Sequence, residues 1–189
     1  MARSDMKALT PFGIEHVKKR FINGININEE EIKALASIGC SGSLHKALSR
    51  KLKKTFNMKT PNPGQSVSKN NNRLCWTAQG QWLLESDKTF SQGFDAYLIE
   101  NLGKEFAITD QTSGWVKFSL SGNRVLTVLE KCIMLDVHEM TTGAFNRCSM
   151  EHIGIYVLCE KAKYEFSIYG PRSFAQSLYH SLTQAIKSI

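Results

Sequence analysis

The sequence predicts an α+β fold in which helices pack on one face of a mostly antiparallel sheet. Two observations lead to this prediction. Strand-like stretches recur along residues 73–169 and are separated by short polar turns, which is typical of antiparallel hairpins. Single stretches with apolar residues at helical spacing lie between them. Hydrophobic residues make up 42% of the 189 residues, so we expect a packed core.

The first sixty residues are predicted to form a small, basic helical unit. Asn28 offers an N-cap, and three glutamates follow where the helix dipole favours negative charge. Apolar residues then recur at roughly helical spacing until the glycine-containing stretch 39–42 ends this helix. Ser43 is placed to cap a second helix over 44–54, with leucines on one face and basic residues around the others.

Residues 61–72 are predicted to be a linker loop. Two prolines, one glycine and four asparagines in this short stretch do not suit a helix or a central strand. The chain is therefore divided into a basic helical segment over 1–60, the linker over 61–72 and an α+β domain over 73–189.

The α+β domain is predicted to contain seven strands and three helices. The strands cover 73–77, 81–85, 106–110, 115–120, 145–149, 153–160 and 164–169. The third and fourth of these are expected to pair as a hairpin around 111–114. The helices cover 89–101, a segment capped by Ser121 that runs toward Lys131, and a final segment from near Pro171 to Ile186.

The cysteines and histidines do not form a recognisable metal or redox motif. Five of each are scattered along the chain, and no two cysteines have the two-residue spacing of such motifs. Cys132 or Cys148 could act as a nucleophile with a nearby histidine as base, but no third group that would orient the histidine is identifiable. We therefore expect no catalytic residue. Asp136 and His138 face the same side if the chain is extended there, which suits a hydrogen-bonded loop corner better than a proton relay. No glycine-rich phosphate loop is present, and no cofactor or metal is expected on this chain.

The net charge of +7 is concentrated in the first part of the sequence. Residues 1–73 hold 14 Lys/Arg against 5 Asp/Glu, a net charge of +9, whereas residues 74–189 have a net charge of −2. Such a surface attracts acidic proteins, nucleic acid or anionic lipid, or it is simply a solvated helix face, which we prefer. There is no apolar run of membrane-spanning length and no secretory signal pattern, so a cytoplasmic protein without a membrane partner is expected.

Residues 30–54 are similar to a helix–turn–helix, which makes a nucleic-acid-binding protein one alternative function. A basic second helix entering a major groove would gain affinity from phosphate contacts. A plain helical hairpin has the same spacing, however. The second helix carries only four side chains suited to base edges, which are His45, Lys46, Ser49 and Arg50. Nucleic acid is therefore the less favoured partner.

Four stretches after Arg73 occur in an order that is typical of one known family. They are Leu74–Trp76 followed by Gln81–Leu84, Leu120–Gly122 followed by Val128–Lys131, Leu135–His138, and Tyr169–Ala175. In these stretches the sequence resembles the gamma subunit of heterotetrameric sarcosine oxidase, a relative of the aminomethyltransferase-type folate-binding domain. The sequence departs from the family in the turn Ala78–Gln81, where the family has Gly-Pro-Asp-Glu, and at Glu139, where it has proline. It also departs at Cys132, where a glycine is usual, and at Cys148, where a small hydroxyl residue is usual.

This resemblance implies a non-catalytic structural subunit of an oxidase that demethylates sarcosine to glycine and passes the one-carbon unit to tetrahydrofolate. It implies that FAD, FMN, NAD, tetrahydrofolate and zinc are held by the alpha, beta and delta partner subunits. A stand-alone folate-dependent one-carbon protein is a second alternative. A tryptophan anchor and a helix start with free backbone donors are expected at the partner interface. The candidate interface residues are Trp82, Asp136, His138, Arg172, Ser173 and Phe174.

Overall fold

Two antiparallel sheets pack face to face, and two helices cover the outer side of each sheet. The computed structural model describes residues 9–14 and 18–189. Its strands are β1 (Lys19–Ile22), β2 (Ile25–Glu30), β3 (Ala34–Gly39), β4 (Ser66–Lys69), β5 (Asn72–Ala78), β6 (Gln81–Ser86), β7 (Ala107–Asp110), β8 (Trp115–Ser121), β9 (Phe145–Met150), β10 (Ile153–Lys161) and β11 (Glu165–Pro171). Its helices are α1 (His45–Phe56), α2 (Phe94–Leu102), α3 (Val125–Cys132) and α4 (Ala175–Lys187), with 3₁₀ turns at Gly42–Leu44 and Arg172–Phe174. The α+β prediction is confirmed.

The six-stranded sheet has the strand order β1-β2-β8-β11-β10-β9, and α3 and α4 cover its outer face. Alternate residues of its strands point toward these helices, as the period of two requires. Phe118 of β8 and Phe166 of β11 are fully buried there against Leu129 of α3 and Leu182 of α4. This is the largest apolar core of the described chain.

The five-stranded sheet has the order β4-β5-β6-β3-β7, and α1 and α2 cover its outer face. Leu48 and Leu52 of α1 and Leu98 of α2 pack on Leu74 and Leu84 of the sheet. Since each sheet carries its helices on one face only, the opposite faces of the two sheets meet in a layer between them, which we call the inter-sheet layer.

The predicted helix over residues 28–38 is wrong, because this stretch contributes to two strands. β2 lies beside β8 in the six-stranded sheet, and β3 lies between β6 and β7 in the five-stranded sheet. β3 is covered on both faces, so its sequence reads as a nearly continuous apolar run instead of an alternating one. Such a run is indistinguishable from a buried helix by periodicity alone. The described part of the first sixty residues therefore supplies strands to both sheets and is not a separate helical unit.

The second predicted helix of this region is confirmed as α1, but the helix–turn–helix over 30–54 is not formed. Its first element is the strand β3, and the stretch after β3 leads through a 3₁₀ turn into α1. The structural basis for reading base edges with this segment is therefore absent.

The predicted linker over 61–72 is wrong in its second half. Residues 66–69 form β4, which pairs with β5 through a hairpin loop of two residues, Asn70 and Asn71. Both have positive φ angles, 50° and 61°. Asparagine tolerates this region of backbone conformation, and two-residue hairpin loops of type I′ require it at both positions. The asparagine run is thus a hairpin turn.

The strands and helices predicted after residue 73 are all present, but one pairing is wrong. β7 pairs with β3 in the five-stranded sheet, whereas β8 pairs with β2 and β11 in the six-stranded sheet. The stretch 111–114 therefore crosses from one sheet to the other and does not close a hairpin. Ser121 ends β8, and α3 begins four residues later at Val125. None of the described helices has the length and apolar character needed to cross a membrane.

Candidate functional site

The inter-sheet layer is apolar at one end and charged at the other. Its apolar end consists of Leu35, Cys75, Leu83, Phe145, Leu158 and Tyr169. Its charged end is formed by residues that point inward from five strands of the two sheets, which are Arg73, Glu85, Lys117, Glu160 and Ser167. Successive side chains of a strand point to opposite faces of the sheet. The residues of both ends therefore point into the inter-sheet layer, while their neighbours along each strand point into the cores under the helices.

Arg73 of β5 and Glu160 of β10 join the two sheets through an ion pair. The Arg73 Nη1 atom lies 2.6 Å from Glu160 Oε1, and the hydroxyl of Ser167 donates a hydrogen bond of 2.9 Å to the same oxygen. Burial by itself would raise the pKa of the Glu160 carboxyl, but the hydrogen bond and charge of Arg73 outweigh it and lower that pKa. The pair is thus charged in the folded protein at neutral pH.

A second ion pair, beside the first, connects Glu85 of β6 with Lys117 of β8. The Lys117 Nζ atom donates to both carboxylate oxygens of Glu85, at 3.0 and 3.3 Å. The Tyr169 hydroxyl donates a hydrogen bond of 2.7 Å to Glu85 Oε2, and Lys117 Nζ lies 5.1 Å from the centre of the Tyr169 ring. Burial and the neighbouring Glu85 charge raise the pKa of Tyr169 well above its usual value, so the phenol remains a donor.

The charged end opens into a cleft of about 610 Å³ between the sheets. Its lining residues are Glu31, Lys33, Ser68, Lys69, Asn70, Asn71, Asn72, Arg73, Glu85, Ser86, Asp87 and Lys117. At its rim, Lys33 Nζ lies 2.7 Å from Asp87 Oδ1, and the Asn71 amide donates to the other Asp87 oxygen. Arg73, Lys117 and Lys33 each contact a carboxylate, so a ligand in this cleft would have to compete with existing ion pairs.

A smaller pocket of about 350 Å³ lies at the other side of the inter-sheet layer. Its aromatic walls are Trp115 and Tyr156, whose ring centres are 5.6 Å apart. Its polar atoms include those of Gln81 and Gln111, and Gln111 Oε1 accepts a hydrogen bond from the Trp115 indole at 3.3 Å. Aromatic rings and amide groups therefore occur together in this pocket, a combination that is typical of small-molecule sites.

Trp82, one of the six predicted interface residues, is buried in the core under α1 and is only 2% exposed. Its ring stacks on the exposed His45 ring, with 5.5 Å between centres. Its indole nitrogen has no hydrogen-bond partner in the part of the chain that the structure describes. Of the two other tryptophans, Trp76 and Trp115, both are half-buried.

Asp136 and His138 lie at an exposed loop corner after α3. Asp136 Oδ1 accepts hydrogen bonds from the backbone N–H groups of His138 (3.1 Å) and Glu139 (3.4 Å). The His138 imidazole contacts the Glu130 carboxylate of α3. Asp136 thus holds the turn through backbone donors, in the manner of the hydrogen-bonded corner that the sequence predicts.

Arg172, Ser173 and Phe174 form the 3₁₀ turn before α4, so they share the outer layer that contains α3. Arg172 is half-buried and donates from Nη2 to the backbone carbonyl of Leu9 at 2.6 Å. Ser173 is exposed, and Phe174 is 46% exposed. The structure therefore places five of the six predicted residues on one outer layer and Trp82 on the opposite one.

No group of three or more His, Cys, Asp or Glu side chains that could hold a metal occurs within residues 9–14 and 18–189. Burial raises the pKa of the Cys132, Cys148 and Cys159 thiols to about 11, and that of Cys75 further. A thiol is nucleophilic only as the thiolate, so these side chains are unreactive near neutral pH.

The charged pairs of the inter-sheet layer were missed by sequence reasoning. Arg73 and Glu160 are 87 positions apart, and each lies at an inward position of a correctly predicted strand. A charged residue at an inward strand position is the signal that points to such a layer, because an isolated buried charge is costly. The sequence gives no local indication of which distant strand supplies the opposite charge.

Two α–β layers joined back to back by their sheets define a known class of fold. No family model matches the sequence, and no curated protein is significantly similar to it. Among solved structures, the chain is similar to heterotetrameric sarcosine oxidase from Corynebacterium sp. U-96, in complex with pyrrole 2-carboxylate, with a TM-score of 0.76 and 18% identity over 89% of this chain and 87% of that chain.

The chain is also similar to the glycine cleavage system aminomethyltransferase T from Bartonella henselae. The TM-score is 0.63 at 15% identity, and the match covers 84% of this chain but only 45% of that one. At these identities the similarity shows the fold. The predicted likeness to the aminomethyltransferase-type folate-binding domain is confirmed at that level.

Proposed function

We propose that this protein is a non-catalytic structural subunit of a multi-subunit sarcosine oxidase in the cytoplasm. The observation that carries the proposal is the similarity to a chain of heterotetrameric sarcosine oxidase, which extends over nearly the full length of both chains. The ordered stretches that resemble the gamma subunit lie on elements of this same fold.

In the proposed complex the reaction takes place on other chains. The alpha, beta and delta partner subunits hold FAD, FMN, NAD, tetrahydrofolate and zinc, and the complex converts sarcosine to glycine. The side chains described above favour a structural role for this chain. The inter-sheet ion pairs are satisfied within the chain, and the four thiols with strongly raised pKa values are poor nucleophiles.

We place the partner interface on the outer layer formed by α3 and α4. Asp136, His138, Ser173 and Phe174 are exposed there, and Arg172 fixes the turn that carries the last two. An exposed aromatic ring beside polar side chains is typical of interface positions. Trp82 is buried, so its role in this proposal is limited to supporting α1.

Co-expression with flavin-bearing oxidase subunits tests the proposal. We expect a complex that co-purifies with flavin absorbance at micromolar concentration, and we expect Phe174→Asp to weaken it. Phe21→Asp is the matched control, because Phe21 is an exposed aromatic residue on the edge strand β1. A wild-type chain that stays monomeric beside those subunits contradicts the proposal.

A stand-alone folate-dependent one-carbon protein is the second candidate. The pocket with Trp115 and Tyr156 and the similarity to aminomethyltransferase T favour it. Titration calorimetry with tetrahydrofolate is the test, and Tyr156→Ala is expected to abolish any heat that comes from this pocket. A titration of the wild-type chain without heat ends this candidate.

A further inference from the structure

The outward side of α1 carries an unusually dense set of cations. The helix contains Lys46, Arg50, Lys51, Lys53 and Lys54 and no acidic residue. Lys51 is neutralised by Glu105, at 2.7 Å. The other four are exposed, and none of them forms a salt bridge with the described residues. We call Lys46, Arg50, Lys53 and Lys54 the basic row.

The basic row lies directly opposite the buried side of α1. Leu48, Leu52 and Phe56 anchor the helix to the five-stranded sheet. At about 100° per residue, Lys46, Arg50 and Lys53 lie within about 60° of one another on the outer side. Along the axis, Arg50 lies about 6 Å from Lys46 and Lys53 lies about 4.5 Å from Arg50, while Lys54 is the next residue after Lys53. The row is therefore straight and is held by a helix whose inner side is fully packed.

This arrangement is unfavourable in the isolated chain. Lys46 with Arg50 and Arg50 with Lys54 are like-charge pairs at the i, i+4 spacing, which destabilises a helix. An anionic surface opposite the row would neutralise this repulsion. Charge at such a surface acts mainly on the rate and specificity of association.

We propose that the basic row is a docking surface for an acidic helix or strand face of a partner subunit; this inference rests on the proposed function. A helix with Asp or Glu at positions i, i+4 and i+7 matches the spacing of the row residue by residue. The basic row lies on α1, which covers the five-stranded sheet, whereas α3 and α4 cover the six-stranded sheet. The proposed docking surface is therefore separate from the interface placed on α3 and α4.

A protein partner is favoured over nucleic acid by the way α1 is seated. The first turn of a recognition helix must reach base edges. In α1, His45 stacks on Trp82, and Ala47 packs on the core of the five-stranded sheet, so these side chains face the protein. Four phosphate contacts alone would give weak binding that is independent of sequence.

The test compares two triple variants with the same change in net charge. The row variant is Lys46→Glu/Arg50→Glu/Lys53→Glu. The control variant is Arg20→Glu/Arg147→Glu/Lys163→Glu, at exposed positions in β1, in β9 and in the turn between β10 and β11, outside α1 and outside the helices α3 and α4. Circular dichroism and the melting temperature establish that both variants fold. The probes are poly-L-glutamate, a short DNA duplex, and co-expressed flavin-bearing oxidase subunits, each used at low and at physiological salt.

We expect the row variant to lose about tenfold or more in affinity for poly-L-glutamate and to lose co-purification, while the control variant loses about threefold or less. Equal losses in both variants overturn the proposal, because net charge then explains the binding. Tighter binding of the duplex than of poly-L-glutamate, lost only in the row variant, also overturns it and favours nucleic acid.

The experiment distinguishes a failure of the proposed function from a failure of the proposed docking surface. If the wild type forms the flavin-containing complex and the row variant forms it equally well, the row is not the docking surface and the function stands. If the wild type forms no such complex but only the row variant loses poly-L-glutamate binding, the function is wrong and the acidic docking surface is supported.

Discussion

The layers under the helices and the layer between the sheets differ in the kinds of side chain that they bury. Under α3 and α4 the buried side chains are almost all apolar, whereas one end of the inter-sheet layer consists of two ion pairs. Apolar burial contributes about 25 cal/mol per Å², whereas the attraction in a buried ion pair is largely offset by its desolvation. Stability therefore originates mainly in apolar burial, which is largest in the outer layers, and the ion pairs act on how the two sheets are positioned.

The largest effect is expected in an outer layer. Phe118→Ala removes a fully buried ring that packs between β8 and α4, so we expect a loss of about 3–5 kcal/mol in the free energy of unfolding, measured by urea denaturation. Met134→Ala is the control, because Met134 is 89% exposed and should change little. A loss below about 1 kcal/mol for Phe118→Ala would contradict the comparison.

A smaller effect is expected in the inter-sheet layer. Arg73→Met leaves the carboxylate of Glu160 without its cation in a site that is only 21% exposed, and we expect a loss of about 2 kcal/mol. Arg73→Met with Glu160→Leu removes both charges and should recover most of that loss. If the double variant is as unstable as the single one, the pair contributes net stability and the two layers do not differ in the way described.

Glu29 is the exception in the outer layer, and it gives a pH test. Its side chain is 1% exposed, one carboxylate oxygen accepts from the backbone N–H of Lys18 at 3.0 Å, and burial raises its pKa above the ordinary value of 4.5. A raised pKa means that the stabilising contribution is complete below 4.5 and is lost as the pH rises through the folded-state value. Glu29→Gln is therefore expected to raise the melting temperature at pH 7 by about 2–4 °C.

The gain from Glu29→Gln should disappear as the pH falls toward 4.5, and melting curves across this range measure it. Glu160 has the opposite sign, because its lowered pKa stabilises the fold above 4.5 and that contribution is lost in acid. Glu31→Gln, at an exposed position, is the control. A gain from Glu29→Gln that is independent of pH would show that the carboxyl does not change its charge on folding.

The smallest effect is expected for Tyr169→Phe. The variant removes one hydrogen bond to Glu85 but leaves Lys117 on the same carboxylate, so we expect a loss of about 0.5–1 kcal/mol in the free energy of unfolding. Urea denaturation of this variant beside Arg73→Met measures both on one scale. A larger loss than that of Arg73→Met would reverse their expected order.

Local patterns were sufficient for most elements after residue 73 and for α1. Gly103 follows the last residue of α2, and the turn before β6 contains Gly80, whose φ angle of 72° suits glycine. A Cβ atom at Gly80 would lie 2.5 Å from the carbonyl oxygen of Cys40. The loop corner at Asp136 also follows from local chemistry, because an aspartate can hold the backbone two residues ahead.

The sequence by itself determined where strands and helices form when one of their faces is apolar and the other polar, because that contrast produces a visible period. Only the tertiary structure decided that β3 is a strand buried on both sides, that β7 and β8 belong to different sheets, and that Arg73 meets Glu160. These features depend on contacts between segments that are distant in the sequence, and such contacts produce no pattern in the residues next to them along the chain.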